Sequence, residues 1–214
     1  MTKDHLEVDE AVSVFREASR AIREKREEIR RLDAACGDGD LGITVDKGFK
    51  AVEGVLEDFN PEEDELGKTL KKAGMEFNSR AASTFGVFVA TACMQAGDAI
   101  GDKVALTLAD IVSMLEAAAE GISDRGGAEV GDKTILDALV PAVEATKGAL
   151  QKGMTVKEAL RKAAGAAESG ARGTKGMKPR TGRAKQLGDR AIDVQDPGAT
   201  VVHYFLDEIA NQLN

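Results

Sequence analysis

Apolar residues along this chain recur three and four positions apart, and nowhere do they alternate convincingly in twos. That periodicity predicts helices and argues against strands. Eight helices are expected. The first covers about Leu6 to Leu32 and carries the charged tail "REKREEIRRL". The second starts after Gly42 and reaches about Asp58. The third follows "NPEEDE", with Asn60 as its cap and Pro61 at its first position. The fourth, about Ala81 to Ile100, is apolar on nearly all faces and is expected to be the most buried. The fifth opens at Thr107 with Asp110 three residues on, and stops at the glycines of "DRGG". The sixth follows "GDKT", capped by Asp132. The seventh opens with "TVKE", where Thr155 and Glu158 have the spacing of a capping box. The eighth follows "DPGAT", with Asp196 ahead of Pro197.

Most connections between these segments are short, which favours antiparallel neighbours. The exception is the stretch from Gly170 to Pro197, rich in glycine and in Lys175, Lys178, Arg180, Arg183, Lys185 and Arg190. Connections longer than about 12–15 residues in a compact domain are usually functional or disordered. Two readings stand: a solvated segment that spreads charge, and a lid that brings cations over a polyphosphate.

Bulk composition narrows the class. A chain of 214 residues suits one domain with one core. Its net charge of −8 makes sequence-independent nucleic-acid binding a poor fit. Cys36 and Cys93 are too few for a disulfide framework, and "MTKDHLEVDE" holds no apolar signal core. With no run of eighteen apolar residues, no membrane span is expected, and a reduced, cytoplasmic setting is. The chain is 43% hydrophobic but only 4% aromatic, so small aliphatic side chains fill the interior and leave room for a pocket there.

The candidate chemistry starts in "LDAACGDGDLGITVDKGF", from Leu32 to Phe49. Asp33, Asp38 and Asp40 crowd around Gly37 and Gly39, the first of them at the negative end of a helix. Like charges so placed call for a compensating partner. A solvated turn and a metal site both remain open. Oxygen-only ligands favour Mg²⁺, Mn²⁺ or Ca²⁺ over zinc. An EF-hand starting at Asp38 fails, because its twelfth position is Phe49. "LGIT" then leads into the second helix, whose free amides suit an anion beside the metal. "GGAEVGDKTILDAL" and "RAAST" (Arg80 to Thr84) read either as helix connections or as ligand contacts. Neither His5 nor His203 forms a triad with Ser or Cys, and Cys36 is a poor Mg²⁺ ligand.

Four stretches in order, "LDAACGDGDLG", "GDKTILDALVPA", "GTKG" and "GRAKQLGDRAIDVQDPGAT", resemble the nucleotide-binding (L) subunit of dihydroxyacetone kinases across almost the whole chain. The resemblance implies an all-α, antiparallel eight-helix barrel. It implies that Asp33, Asp38 and Asp40 hold two Mg²⁺ ions that bridge the phosphates of ADP or ATP. It places the nucleotide near Leu41, Gly42, Ile43, Thr44, Ala82, Ser83, Gly126, Ile135, Arg183, Asp196, Pro197 and Gly198. The three aspartates and Arg183 are then the expected catalytic groups. It also implies a separate ketose-binding kinase subunit as partner, with either ATP or a phosphotransferase-system protein as ultimate phosphoryl donor. Two positions depart from the family. Leu41 stands where the family commonly has His after "GDGD", and "RAAST" stands for the usual "GGASG". Those departures admit a specialised branch acting on another short keto sugar such as a tetrulose. They also admit a nucleotide-sensing protein without turnover, and a third possibility is a kinase whose partner presents a fatty acid.

Overall fold

The computed structural model describes residues 5–182, 185 and 188–213. Arg183 therefore lies outside the described residues. Among those described, the fold is all-α, with nine helices and one two-stranded ribbon. The helices are α1 (Val8–Glu24), α2 (Arg26–Cys36), α3 (Leu41–Glu57), α4 (Leu66–Arg80), α5 (Thr84–Ile100), α6 (Leu108–Gly126), α7 (Leu136–Gln151), α8 (Val156–Gly173) and α9 (Pro197–Gln212).

The order of packing returns to its start. α1 packs on α3, each of α3 to α8 packs on the helix that follows it, and α9 packs on α8 and back on α1. α2 stands beside this ring, against α3 and α9. The core reflects the composition. α8 buries Ala159, Ala163, Ala164, Ala167 and Ala171 as one stripe, and Ala138 and Ala142 of α7 and Ala199 and Ala210 of α9 pack with it. Such small side chains let helix axes approach closely.

The capping signals at Thr107, Thr155 and Asp196 form as expected. Thr107 and Thr155 make complete capping boxes with Asp110 and Glu158. The Asp196 side chain accepts from the Ala199 amide, with Pro197 in the first turn.

Several expectations change. The long first helix is two helices broken at Lys25, whose φ of −80° and ψ of −1° end α1. No Gly or Pro marks the break, so charge periodicity runs through it unaltered. Leu6 belongs to a strand, His5–Glu7, paired antiparallel with Ala105–Thr107. Three residues are too few to show alternation. The Asn60–Pro61 signal builds a turn, not a helix: Asn60 Oδ1 accepts from the Glu62 amide, and its carbonyl accepts from Glu63 and Asp64. α4 begins only at Leu66.

The apolar α5 is not the most buried helix. Only Gly86, Ala96, Gly97 and Ile100 are buried, and Met94 is 44% exposed. Phe85, Val89, Ala92 and Cys93 instead face an apolar cavity of about 230 Å³ between the helices, opposite Phe15, Phe49 and Phe205. The long basic connection also starts later than expected, because α8 continues to Gly173. Among the described residues, no helix is long and apolar enough to cross a membrane.

Candidate functional site

One end of the bundle opens into a cleft of about 650 Å³. The end of α2 supplies Asp33 and Cys36, and the following turn supplies Asp38 and Asp40. The starts of α3, α5, α7 and α9 open on the same space through Leu41 and Thr44, Thr84 and Val87, Leu136, and Pro197 and Gly198. Helix N-termini carry partial positive charge and free amides, so four of them around one cleft favour an anion.

Against that field stand three carboxylates. Asp33, Asp38 and Asp40 can each offer an oxygen such that all three lie within 4.8 Å of one another, with Asp33 half-buried and the other two exposed. Asp33 is aimed from both sides: one oxygen accepts the Leu41 amide at 3.0 Å. The other lies 2.6 Å from where a Cβ on Gly37 would stand, so a side chain there would push the carboxylate aside. Gly39 completes the turn at a φ of +77°. A set of hard oxygen donors converging at this spacing fits a divalent cation such as Mg²⁺.

The sequence-predicted residues divide by position. Leu41, Thr44, Ser83, Gly126, Ile135, Asp196, Pro197 and Gly198 line the cleft with the three aspartates. Gly42, Ile43 and Ala82 do not. Gly42 is buried where α3 meets α2, and a Cβ on it would come within 2.3 Å of the Arg26 carbonyl oxygen. Ile43 is 53% exposed, and its amide is spent on the Asp40 carbonyl. Ala82 is exposed. Ser83 caps α5 through the Gly86 amide. Of the basic connection, Thr181 and Gly182 reach the cleft. Arg180 ties the segment to the 128–134 turn by donating its amide to the Asp132 carbonyl.

Two groups here escaped the sequence reading. Asp132 does not cap α7; it accepts from the Glu129 amide, and α7 starts at Leu136. Asp137, buried, instead accepts the amides of Gly131 and Thr134 at 2.6 and 2.7 Å. Lys133 is only 2% exposed and has a φ of +62°. Its ammonium donates to the carbonyls of Thr174, Ile192 and Val194. Burial pulls its pKa below the ordinary value, opposed by the charge of Asp196. Burial pushes Asp196 up to about 7, while the Ala199 amide and Lys133 act the other way. Cys36, buried, is pushed up to about 12 by desolvation and then by Asp196 and Asp33, which keeps its thiol protonated and unreactive.

The far wall of the cleft is apolar. Phe85, Phe88, Ile122 and Ile135 face it on one side and the interior cavity on the other. Among the described residues, the cations lining the cleft are Arg125 and Lys133.

The fold and cleft thus define an all-helical domain with one carboxylate cluster facing an anion-favouring end. The chain belongs to the DAK2-domain family, whose model matches residues 35–211. It is 36% identical over 179 residues to the ADP-binding subunit DhaL of the PEP-dependent dihydroxyacetone kinase of Escherichia coli, covering 84% of each chain. It is 32% identical over 186 residues to the D-erythrulose kinase of Mycolicibacterium smegmatis, covering 87% of this chain and 32% of that enzyme. The crystal structure of the dihydroxyacetone kinase from C. freundii in complex with AMP-PNP and Mg²⁺ matches with a TM-score of 0.71 at 22% identity. That match covers 94% of this chain and 33% of the solved one, and it concerns the fold. The chain spans about a third of the length of these larger kinases.

Proposed function

We propose that this chain is the nucleotide-holding, phosphoryl-donating subunit of a short-chain ketose kinase. The observation that carries the reading is the Asp33, Asp38 and Asp40 cluster, set within 4.8 Å at the cleft where four helices start. Similarity along most of the chain to an ADP-binding kinase subunit supports it. Mg²⁺ on these carboxylates, as a pair of ions, would neutralise nucleotide phosphates and orient the transferred group.

The chain's own residues do the rest. The start of α5 offers amides to phosphate oxygens, and the positive ends of α3 and α9 add to the field. The apolar wall of Phe85, Phe88 and Ile135 takes the flat base and excludes water from it. Arg125 and, from the basic connection, Arg183 supply positive charge. Such a site acts by positioning and electrostatics, without a nucleophile of its own. The ketose is held on a partner subunit. The nucleotide is either exchangeable ATP, spent and replaced at each turnover, or a resident ADP that a phosphotransferase-system protein rephosphorylates. The returning order of helix packing supports reading the eight ring helices as the antiparallel barrel expected from the family.

Calorimetric titration of ADP and ATP into nucleotide-stripped protein, with Mg²⁺ and with EDTA, tests the reading. Binding that needs Mg²⁺ is expected. Slow ADP release would favour a resident cofactor, and ready exchange a direct ATP kinase. Folded protein that binds neither nucleotide would end the kinase reading. Assays of the reconstituted pair on dihydroxyacetone and erythrulose then rank the ketoses.

A further inference from the structure

Lysine normally keeps its ammonium in water. Lys133 does not, and the structure puts three unfavourable features together at this point. A charged group is 2% exposed. Its residue is the one non-glycine among those described with a positive φ. The turn that carries it is held by a buried carboxylate, Asp137, which takes the amides of Gly131 and Thr134. Each feature costs stability alone, so their convergence calls for a return.

The acceptors show what that return is. All three are main-chain carbonyls: Thr174 at 2.7 Å, Val194 at 2.6 Å and Ile192 at 3.2 Å. They lie 41, 61 and 59 residues further along the chain. The first is at the beginning of the connection between α8 and α9, and the others are at its end. Three donors on three carbonyls use up the ammonium. Although Lys133 lines the cleft, it has no N–H left to donate to a phosphate.

Thr174 carries the tie onward. It is fully buried, and its hydroxyl oxygen accepts the Asp196 amide at 2.8 Å. Asp196 in turn caps α9 and forms the cleft wall with Pro197 and Gly198. We propose that Lys133 is a positioning residue: it ties together the two ends of the 174–196 connection and, through Thr174, sets the Asp196–Gly198 wall against the nucleotide. This rests on the nucleotide reading of the cleft. It separates Lys133 from Arg125, which lines the same space as a cation available to ligand.

The test uses the full chain with Lys133→Met, Thr174→Val, and both together. Methionine fills the same length without donors, and valine is close in shape to threonine. Each single change should weaken Mg²⁺-dependent ADP binding about ten- to a hundredfold, the scale of a misplaced binding wall. Because both act through Asp196, the double variant should bind no worse than the weaker single. Mn²⁺ binding without nucleotide, followed by electron paramagnetic resonance, should stay as in the wild type. Trypsin should cut faster at Lys175 and Arg180 in the Lys133→Met protein without ligand.

Wild-type ADP affinity in folded Lys133→Met overturns the proposal. So do additive losses in the double variant, or an equal loss of Mn²⁺ binding, either of which indicates general damage. Should Lys133→Met not fold, Thr174→Val carries the affinity test by itself. If the wild type binds no ADP, the nucleotide reading fails, and tryptic cutting then decides the tie: unchanged rates overturn it.

Discussion

Removing one carboxylate from the aspartate cluster should make the metal-free protein more stable while abolishing its response to metal. In Asp38→Ala the charge leaves a group of three whose oxygens lie within 4.8 Å of one another. Two unit charges at that distance repel by ~1 kcal/mol in water. Asp38 takes part in two of the three pairs, so the repulsion within the cluster that its removal relieves is ~2 kcal/mol at low ionic strength and roughly half that at physiological salt. For a chain of this size each kcal/mol moves Tm by about 2–4 °C. Thermal melts in EDTA should therefore place the variant a few degrees above the wild type, with a gap that narrows as salt rises. Adding Mg²⁺ reverses the order. The wild type gains ~2.7 kcal/mol at a hundredfold excess over Kd, and the variant gains little. A variant that melts lower in EDTA and still responds fully to Mg²⁺ would refute both the repulsion argument and the metal assignment.

Three further outcomes follow from the same structure. Asp196→Asn keeps an oxygen for the Ala199 amide but removes the ionisation. Because burial raises this carboxyl to about 7 from 3.8, the folded state holds the proton more tightly than the unfolded one. Stability from this group therefore declines as pH rises from about 4 to about 7. Denaturant melts across that window should show a flatter profile in the variant, and an unchanged slope would count against the assignment. Gly42→Ala drives a methyl into the Arg26 carbonyl and the Arg30 side chain. It should cost about 1–3 kcal/mol and also weaken the Mg²⁺ response, since α2 carries Asp33. Thr155→Ala breaks the capping box of α8 and should cost ~1 kcal/mol, read as a lower Tm with unaltered Mg²⁺ response.

What could be read from the chain and what could not differ by the range of the interactions. Capping boxes at Thr107 and Thr155, and the Asp196–Pro197 start, are local chemistry and appear where the sequence puts them. The three aspartates drew attention for a local reason too, since charges that close need a partner. Lys25 breaks a helix without Gly or Pro, so nothing in the periodicity marks it. α5 looked like the most buried helix because an apolar face turned to a cavity and one turned to packed neighbours read alike. Lys133 is the clearest case. In "GDKT" it looks like a solvent-facing lysine in a glycine-rich turn, and its burial depends on carbonyls 41 to 61 residues away. Asp132 took the role of cap in the reading because it precedes the helix, whereas Asp137 holds the turn from inside it.

The wall shared by the cleft and the interior cavity has a consequence for anyone who would redesign this protein. Phe85, Phe88, Ile122 and Ile135 each present one side to each space. Trimming any of them to widen the cleft also enlarges the hollow behind it, and filling the hollow narrows the cleft. Ligand preference and interior packing therefore cannot be engineered as separate variables at these four positions. A library that varies them must be screened for both properties at once.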